Sequence, residues 1–267
     1  GHGNGPQVGF ILQKAEIAYG AIGLPMAGLD VCGAQSQGQI GYALAQNLQN
    51  ELKRRGINKP VASVIEQTVV DRNDPAFSNP TKPIGGFMTE AEAKKRKEEE
   101  GWTVIEDAGR GWRRVVASPI PQEIVELEAI RTLISAGIVT ISVGGGGIPV
   151  IRREDGDLEG IAAVIDKDFG NSLLASLINA DMLLISTAVE KVALNFGKPN
   201  ETWLDKLSLA DAKRYLAEGT HFKGGSMAPK IQACINFLDR GGKSALITNP
   251  ENIGRALKGE TGTWILP

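Results

Sequence analysis

The sequence predicts an α/β fold whose mainly parallel sheet is covered on both faces. Short, wholly apolar runs such as "GIVTISV" and "ADMLLIS" alternate with segments of helical period, and several of these strands lead into glycine-rich loops. Composition points to no other class. The 267 residues are 42% hydrophobic and 22% charged with a net charge of −2, which makes no electrostatic case for nucleic acid or an anionic membrane. No apolar run approaches the roughly 18 residues of a membrane span. Cys32 and Cys234 stand alone, without CxxC or clustered histidine, which argues against zinc and suits a reducing, cytoplasmic compartment. Glycine is the outlier, with 33 residues gathered into a few loops.

The opening "GHGNGP" has the composition of a tight loop, and "QVGFILQKAEIAYG" after it reads as a helix with Val8, Ile11, Leu12 and Ala15 on one face. A second helix is predicted from near Gln37 to Arg55, closed by Gly56 with Pro60 beyond. "PVASVIEQTVV" is β-branched and reads as one strand. Residues 71–119 then form an excursion that reads as a lid or small subdomain. "DRNDPAFSNPTKPIGGF" is proline-punctuated and predicted irregular. "TEAEAKKRKEEEG" is a helix with Thr89 as N-cap, Glu92 completing a capping box and Gly101 as its stop, and its charge run is a solvated face. "WTVIE" and "WRRVVASP" make a hairpin around "DAGRG".

The remainder alternates in the βαβ manner. A helix is predicted over Gln122–Ser135, a strand at "GIVTISV", and a helix near Asn171–Asn179 after "GIAAVIDKD". "ADMLLIS" and "KSALITN" are strands, "MAPKIQACINFLDRGG" and "PENIGRALKG" helices, and "TGTWILP" a last strand. Ligands of such sheets bind in the loops beyond the strand ends.

Three loops carry the chemistry. In "SVGGGGIPV" four consecutive glycines follow a buried strand, a run costly in backbone entropy that persists where a ligand approaches the main chain or where positive φ is needed. Amides turned one way there would form an anion nest, although Ile148 and Pro149 leave the bland alternative of a flexible loop little room. The run fits neither the GxGxxG frame of a dinucleotide site nor a P-loop. "VIDKD" sets Lys167 between Asp166 and Asp168 just before a helix. Alone it reads as solvated punctuation; among glycine loops it reads as an ammonium held in a fixed direction. "KGGSMAPK" places Lys230 on the first turn of a helix after Gly224, Gly225 and Ser226, where helix dipole and ammonium both favour phosphate; an exposed surface lysine is the plain alternative. No Ser/His/Asp set or reactive thiol is evident, and His2 and His221 read as structural. Two lysines and two glycine nests suit positioning and charge neutralisation, the demands of phosphoryl transfer from a nucleotide.

Taken together, "HGNGPQVG", "QGQIGY", "NDPAFSNPTKPIG", "EDAGRGWRRVVASP", "GGGGIPV", "AVIDKD", "NFGKP" and "GSMAPK" resemble the carbamate kinases of the amino-acid kinase superfamily, in that order and across the whole chain. The resemblance implies the amino-acid kinase fold, a three-layer α/β/α sandwich with a small protruding lid subdomain, as a single domain over 1–267 that works as a homodimer. It implies reversible transfer between ATP and carbamate with Mg²⁺ carried by the nucleotide phosphates and no metal ligand from a side chain, often serving arginine breakdown. Carried over by position, Lys167 would bridge the migrating phosphoryl oxygens, Asp168 would orient the lysines, and Lys230 would stabilise the nucleotide phosphates. Gly3, Asn4 and Gly5, with Gly144, Gly145 and Gly146, would cradle carbamate and phosphoryl, helped by Arg114, which replaces a lysine of some relatives. Asp166, Thr187, Asn195, Phe196, Gly225, Ser226 and Met227 would border the nucleotide. Family members place a strand, a "GGNA"-type loop, a helix and a second strand before the "HGNGPQVG" loop with which this sequence opens. The resemblance therefore implies a preceding segment in the natural protein, and poor folding and little activity for a molecule that starts at Gly1. Two other readings stay open: a superfamily kinase for an acylamino acid, aspartate or a nucleoside monophosphate, and a non-catalytic nucleotide-binding relative.

Overall fold

Proline and glycine punctuation bounds the first helix. α1 (Gly5–Ile22) starts at the Gly-Pro pair and ends where Gly23 turns left-handed at φ 70°. α2 (Leu29–Arg54) begins well before the predicted Gln37, because Gly33, Gly38 and Gly41 mask its period. They do not break the helix. At Gly41 a Cβ would lie 2.0 Å from the Ser63 hydroxyl, so the glycine lets the next strand come close. The computed structural model describes residues 1–107, 109–222 and 227–267.

"PVASVIEQTVV" is two strands, β1 (Val61–Ser63) and β2 (Gln67–Val70), not one. They enter different sheets because the chain between them is tied down: the Glu66 amide donates to Gln37 Oε1 at 3.0 Å and its carbonyl accepts from Ile148 N at 3.1 Å. The excursion is more ordered than its prolines suggested. β3 (Lys82–Met88) occupies part of the stretch predicted irregular, bent at Gly85 with φ 69°. α3 (Glu90–Glu100) has its capping box at Thr89 and Glu92 and its left-handed stop at Gly101. β4 (Val104–Glu106) and β5 (Trp112–Val116) form the expected hairpin, and β3 completes a three-stranded antiparallel sheet in the order β3-β5-β4.

The helix expected over Gln122–Ser135 is preceded by β6 (Pro121–Ile124) and reduced to α4 (Leu127–Ser135). β7 (Val139–Ile141) pairs in parallel with β1, and β8 (Ile148–Arg152) with β2. β6 and β9 (Leu158–Gly160) border these antiparallel, giving the order β6-β2-β8-β9. α5 (Lys167–Leu177) starts four residues earlier than the predicted Asn171. The chain divides within it into two compact units, Gly1–Gly170 and Asn171–Pro267.

In the second unit β10 (Met182–Ser186) opens a four-stranded sheet and a hairpin of β11 (Val192–Leu194) and β12 (Thr202–Leu204) follows. β13 (Lys206–Ser208) and α6 (Leu209–Glu218) have no counterpart in the sequence reading, although Ser208 caps Asp211 N at 3.0 Å and Gly219 ends the helix at φ 67°. α7 (Ala228–Asp239), β14 (Ser244–Thr248), the short α8 (Ile253–Ala256) and β15 (Thr263–Leu266) complete the chain. The sheet order is β10-β14-β15-β13, parallel except where β14 meets β15. Leu246, Ile247, Ile265 and, on α7, Ile231 are fully buried in this unit. Among the described residues no helix is long and apolar enough to cross a membrane.

What matters for the site is how the first unit packs α1. Val8 and Leu12 join Cys32 of α2, Ile84 of β3, Val116 of β5 and Val164 in one apolar cluster. The approach is so close that a Cβ on Gly9 would stand 2.0 Å from the Gly85 Cα. Gly9→Ala forces main chain against main chain, and thermal unfolding should show a loss of about 2 kcal/mol or more. Gly20→Ala, on the same helix with nothing within 4 Å of the added Cβ, should be neutral or stabilise by up to about 1 kcal/mol.

Candidate active site

The first unit gathers its site around a turn between β7 and β8. Val143 is buried in the left-handed region at φ 51°, and Gly145, Gly146 and Gly147 continue with φ of 66°, 93° and 101°. No L side chain holds such a run easily. Space forbids one as well: Cβ atoms would fall 2.4 Å from His2 Nε2 at Gly144, 2.0 Å from Asn4 Nδ2 at Gly145, 2.8 Å from the Ile165 carbonyl at Gly146 and 1.9 Å from Thr68 Oγ1 at Gly147. The glycines thus bring the opening loop and the α5 entry together.

Three amides of the glycine run have main-chain partners. Gly145 N donates to the His2 carbonyl at 2.7 Å, Gly146 N to Val143 O at 3.1 Å and Gly147 N to Gly144 O at 3.2 Å. The first ties the turn to the opening loop and the other two close the turn itself, while Gly145 and Gly146 pack closely on Asn4 and on the α5 entry. Asn4 is buried and precedes α1, yet its side chain does not cap that helix; Nδ2 donates to Ser36 Oγ at 2.9 Å instead. The helix start therefore keeps first-turn amides at Gly5 and Gln7 and its partial positive charge.

Lys167 crosses this entrance. A Cβ on Gly3 would lie 3.3 Å from Lys167 Cδ, so the lysine stem runs over the opening loop, and its ammonium pairs with the buried Asp168. Asp166 serves the start of α5, accepting from Asp168 N at 2.8 Å and from Lys82 Nζ at 2.5 Å. Burial alone would raise the Asp166 carboxyl, but the Lys82 charge and hydrogen bond, the Asp168 amide and the Lys167 charge together hold it below the usual range. Lys82 was missed in the sequence, where it is one lysine between prolines in "NPTKPIG". β3 brings it in, and the neighbouring Pro83 carbonyl would lie 3.4 Å from a Cβ on Gly5.

Arg114 belongs elsewhere. Its guanidinium donates to Glu16 on α1 at 2.8 Å and lies 4.4 Å from the centre of the Trp102 ring, in a cavity of about 550 Å³ between α1 and the β3–β5 sheet.

The second unit holds the other predicted residues. Phe196, Trp203, His221, Phe222 and Met227 line a largely apolar cavity of about 110 Å³. Phe196 meets Trp203 edge-on at 5.9 Å. Asn195, left-handed at φ 54°, turns the chain into this wall and donates its amide to the His221 carbonyl at 3.2 Å. Thr187 follows β10 and donates its amide to Thr248 O at 2.8 Å. Lys230 stands on the first turn of α7, one residue past Pro229. Gly225 and Ser226 lie outside the described residues.

The glycine turn, the start of α1 and the Lys167–Asp168 and Lys82–Asp166 pairs thus lie together in the first unit. The chain belongs to the amino acid kinase family, whose model matches residues 1–249. Within that family it groups with the carbamate kinases. It is 51% identical to the carbamate kinase of Thermococcus kodakarensis over 99% of this chain and 84% of that protein. It is 56% identical to the carbamate kinase-like protein YqeA of Escherichia coli over 99% of this chain and 85% of that one. Solved structures of Giardia lamblia carbamate kinase bound to citric acid or AMP-PNP match with TM-scores of 0.91 and 0.85 at 43% and 44% identity, covering 99% of this chain and 82% and 83% of theirs.

Lys82→Met should uncover the burial that Asp166 resists. A carboxyl with a depressed pKa contributes stability above its unfolded value of 3.8, and that contribution is lost as pH falls through the folded value. The variant should therefore unfold more easily by about 2 kcal/mol at pH 7, and the gap in melting temperature should close toward pH 3.

Proposed function

We propose that this enzyme transfers a phosphoryl group reversibly between carbamoyl phosphate and ADP, giving carbamate and ATP. In the ATP-forming direction a β-phosphate oxygen of ADP attacks phosphorus, and the bond from phosphorus to the carbamate oxygen breaks. The chemistry is limited by repulsion between anions and by alignment, so positioned cations and amides supply the catalysis. The reading rests on the placement of the Lys167 stem beside Gly3, two residues before α1 begins without a side-chain cap.

Each residue has a task in this reading. Lys167 bridges the migrating phosphoryl oxygens, and Asp168 fixes its direction. Gly3, Asn4 and Gly5 receive carbamate and phosphoryl at the helix entrance, with Gly144, Gly145 and Gly146 holding that entrance in place. Lys82 adds positive charge from β3. In the second unit Lys230 neutralises the nucleotide phosphates, Phe196 and Met227 cover the base with Thr187 and Asn195 beside it, and Gly225 and Ser226 contribute main chain. Mg²⁺ arrives with the nucleotide phosphates as part of the substrate.

The three-stranded sheet with α3 serves as a lid over the carbamate side. The enzyme works in the cytoplasm as a homodimer in arginine breakdown. The exposed Ile17, Tyr19 and Ile22 on α1 support the dimer.

A coupled assay for ATP from ADP and carbamoyl phosphate tests the activity. Lys167→Ala should lower turnover by about 10²–10³ while leaving the affinity for ADP intact. Unchanged turnover in that variant contradicts the assignment.

A further inference from the structure

Glu66 has no part in the transfer just described, yet its side chain is completely buried against the glycine turn. A Cβ on Gly147 would lie 3.1 Å from its Oε1. Gln37 of α2, also buried, joins the two: its Nε2 lies 3.3 Å from the Glu66 carbonyl, 3.1 Å from Glu66 Oε1 and 3.1 Å from the Gly144 carbonyl. The other carboxyl oxygen of Glu66 accepts from Thr68 Oγ1 at 3.3 Å. An amide nitrogen carries two protons, and here three acceptors share them.

We propose that Glu66 is a positioning residue for the phosphoryl site: in its neutral form it leaves the Gln37 amide to hold the Gly144 carbonyl, and in its ionised form it draws that amide away and places a buried negative charge against the turn that organises the anion site. Two effects then act in one direction. The turn loses a tether, and an anionic substrate meets a like charge in a medium that screens it poorly. Neutral Glu66 is the form competent to bind carbamoyl phosphate, so this inference deepens the kinase reading and rests on it.

The surroundings favour a proton in the working range. Burial pushes Glu66 up to about 7, reinforced by the charge of Glu126 and opposed by the Thr68 and Gln37 hydrogen bonds. The other groups that face the network are Glu126, held by Gln67 N and Nε2, and the His2 ring beside Gly144, whose pKa burial lowers. The Lys82–Asp166 and Lys167–Asp168 pairs border the turn where the Asp166 carbonyl would meet a Cβ on Gly146 at 3.0 Å.

The test is the KM for carbamoyl phosphate across pH 6 to pH 8.5 in the wild-type chain and in Glu66→Gln. With binding confined to the neutral form, the wild-type KM should rise about tenfold between pH 6 and pH 8, following the competent fraction. Glu66→Gln should lack that rise, and the KM for ADP should carry no such difference. Thr68→Val removes a hydrogen bond to the carboxylate, so it should move the rise to higher pH and serves if Glu66→Gln fails to fold. Identical profiles in wild type and the folded variants overturn the proposal. Absence of ATP formation at every pH would defeat the kinase reading instead. The carboxyl carbon signal of Glu66, followed by NMR with and without inorganic phosphate, then decides: an upward move of its midpoint with phosphate supports the inference, and an unmoved midpoint overturns it.

Discussion

Everything in the first unit depends on a turn that has no room for side chains. Val143, Gly145, Gly146 and Gly147 hold positive φ, and each glycine from 144 to 147 faces an atom closer than a Cβ contact allows. Backbone strain of this kind persists only where the surroundings determine it fully. Here they do, because His2, Asn4, Thr68 and Ile165 press on the turn from the opening loop, a strand and the approach to α5. The result is a junction where the turn's main chain lies directly against the side chains of His2, Asn4 and Thr68 and the main chain of Ile165. Two of its amides bond within the turn and a third bonds to His2.

Charge is laid over that junction in compensated pairs. Lys167 with Asp168 and Lys82 with Asp166 keep two ammonium groups oriented at the start of α5. A preorganised cation loses little on meeting a phosphoryl group, because its direction is set before substrate arrives. Asn4 contributes by what it leaves undone: bonded to Ser36, it does not close the start of α1. Glu66 and Gln37 support the same turn from within the core.

The motifs made the glycine turn and the aspartates at the start of α5 legible, because local spacing suffices to mark a glycine run after an apolar strand or a charged triplet at a helix start. α3 was equally plain, since Thr89, Glu92 and Gly101 satisfy the helix ends by themselves. What escaped depends on partners far away in the chain. The break of "PVASVIEQTVV" into two strands follows from Gln37, 29 residues before Glu66. The pairing of Arg114 with Glu16, 98 residues earlier, is not legible in the sequence either. Lys82 gains its place from a pairing 84 residues long, and proline neighbours concealed its strand. Composition likewise reveals that positive φ is needed in the glycine run and not where its N–H groups point.

The central claim is that the glycine turn organises the carbamoyl phosphate site by exclusion of side chains. Gly145→Ala addresses it most directly, because its methyl group would enter the space of the Asn4 amide. In variant enzyme whose circular dichroism matches wild type, steady-state kinetics should show the KM for carbamoyl phosphate raised about tenfold or more with the KM for ADP within about twofold, a loss of roughly 1.4 kcal/mol or more confined to one substrate. Equal constants for both substrates in wild type and variant would contradict the account.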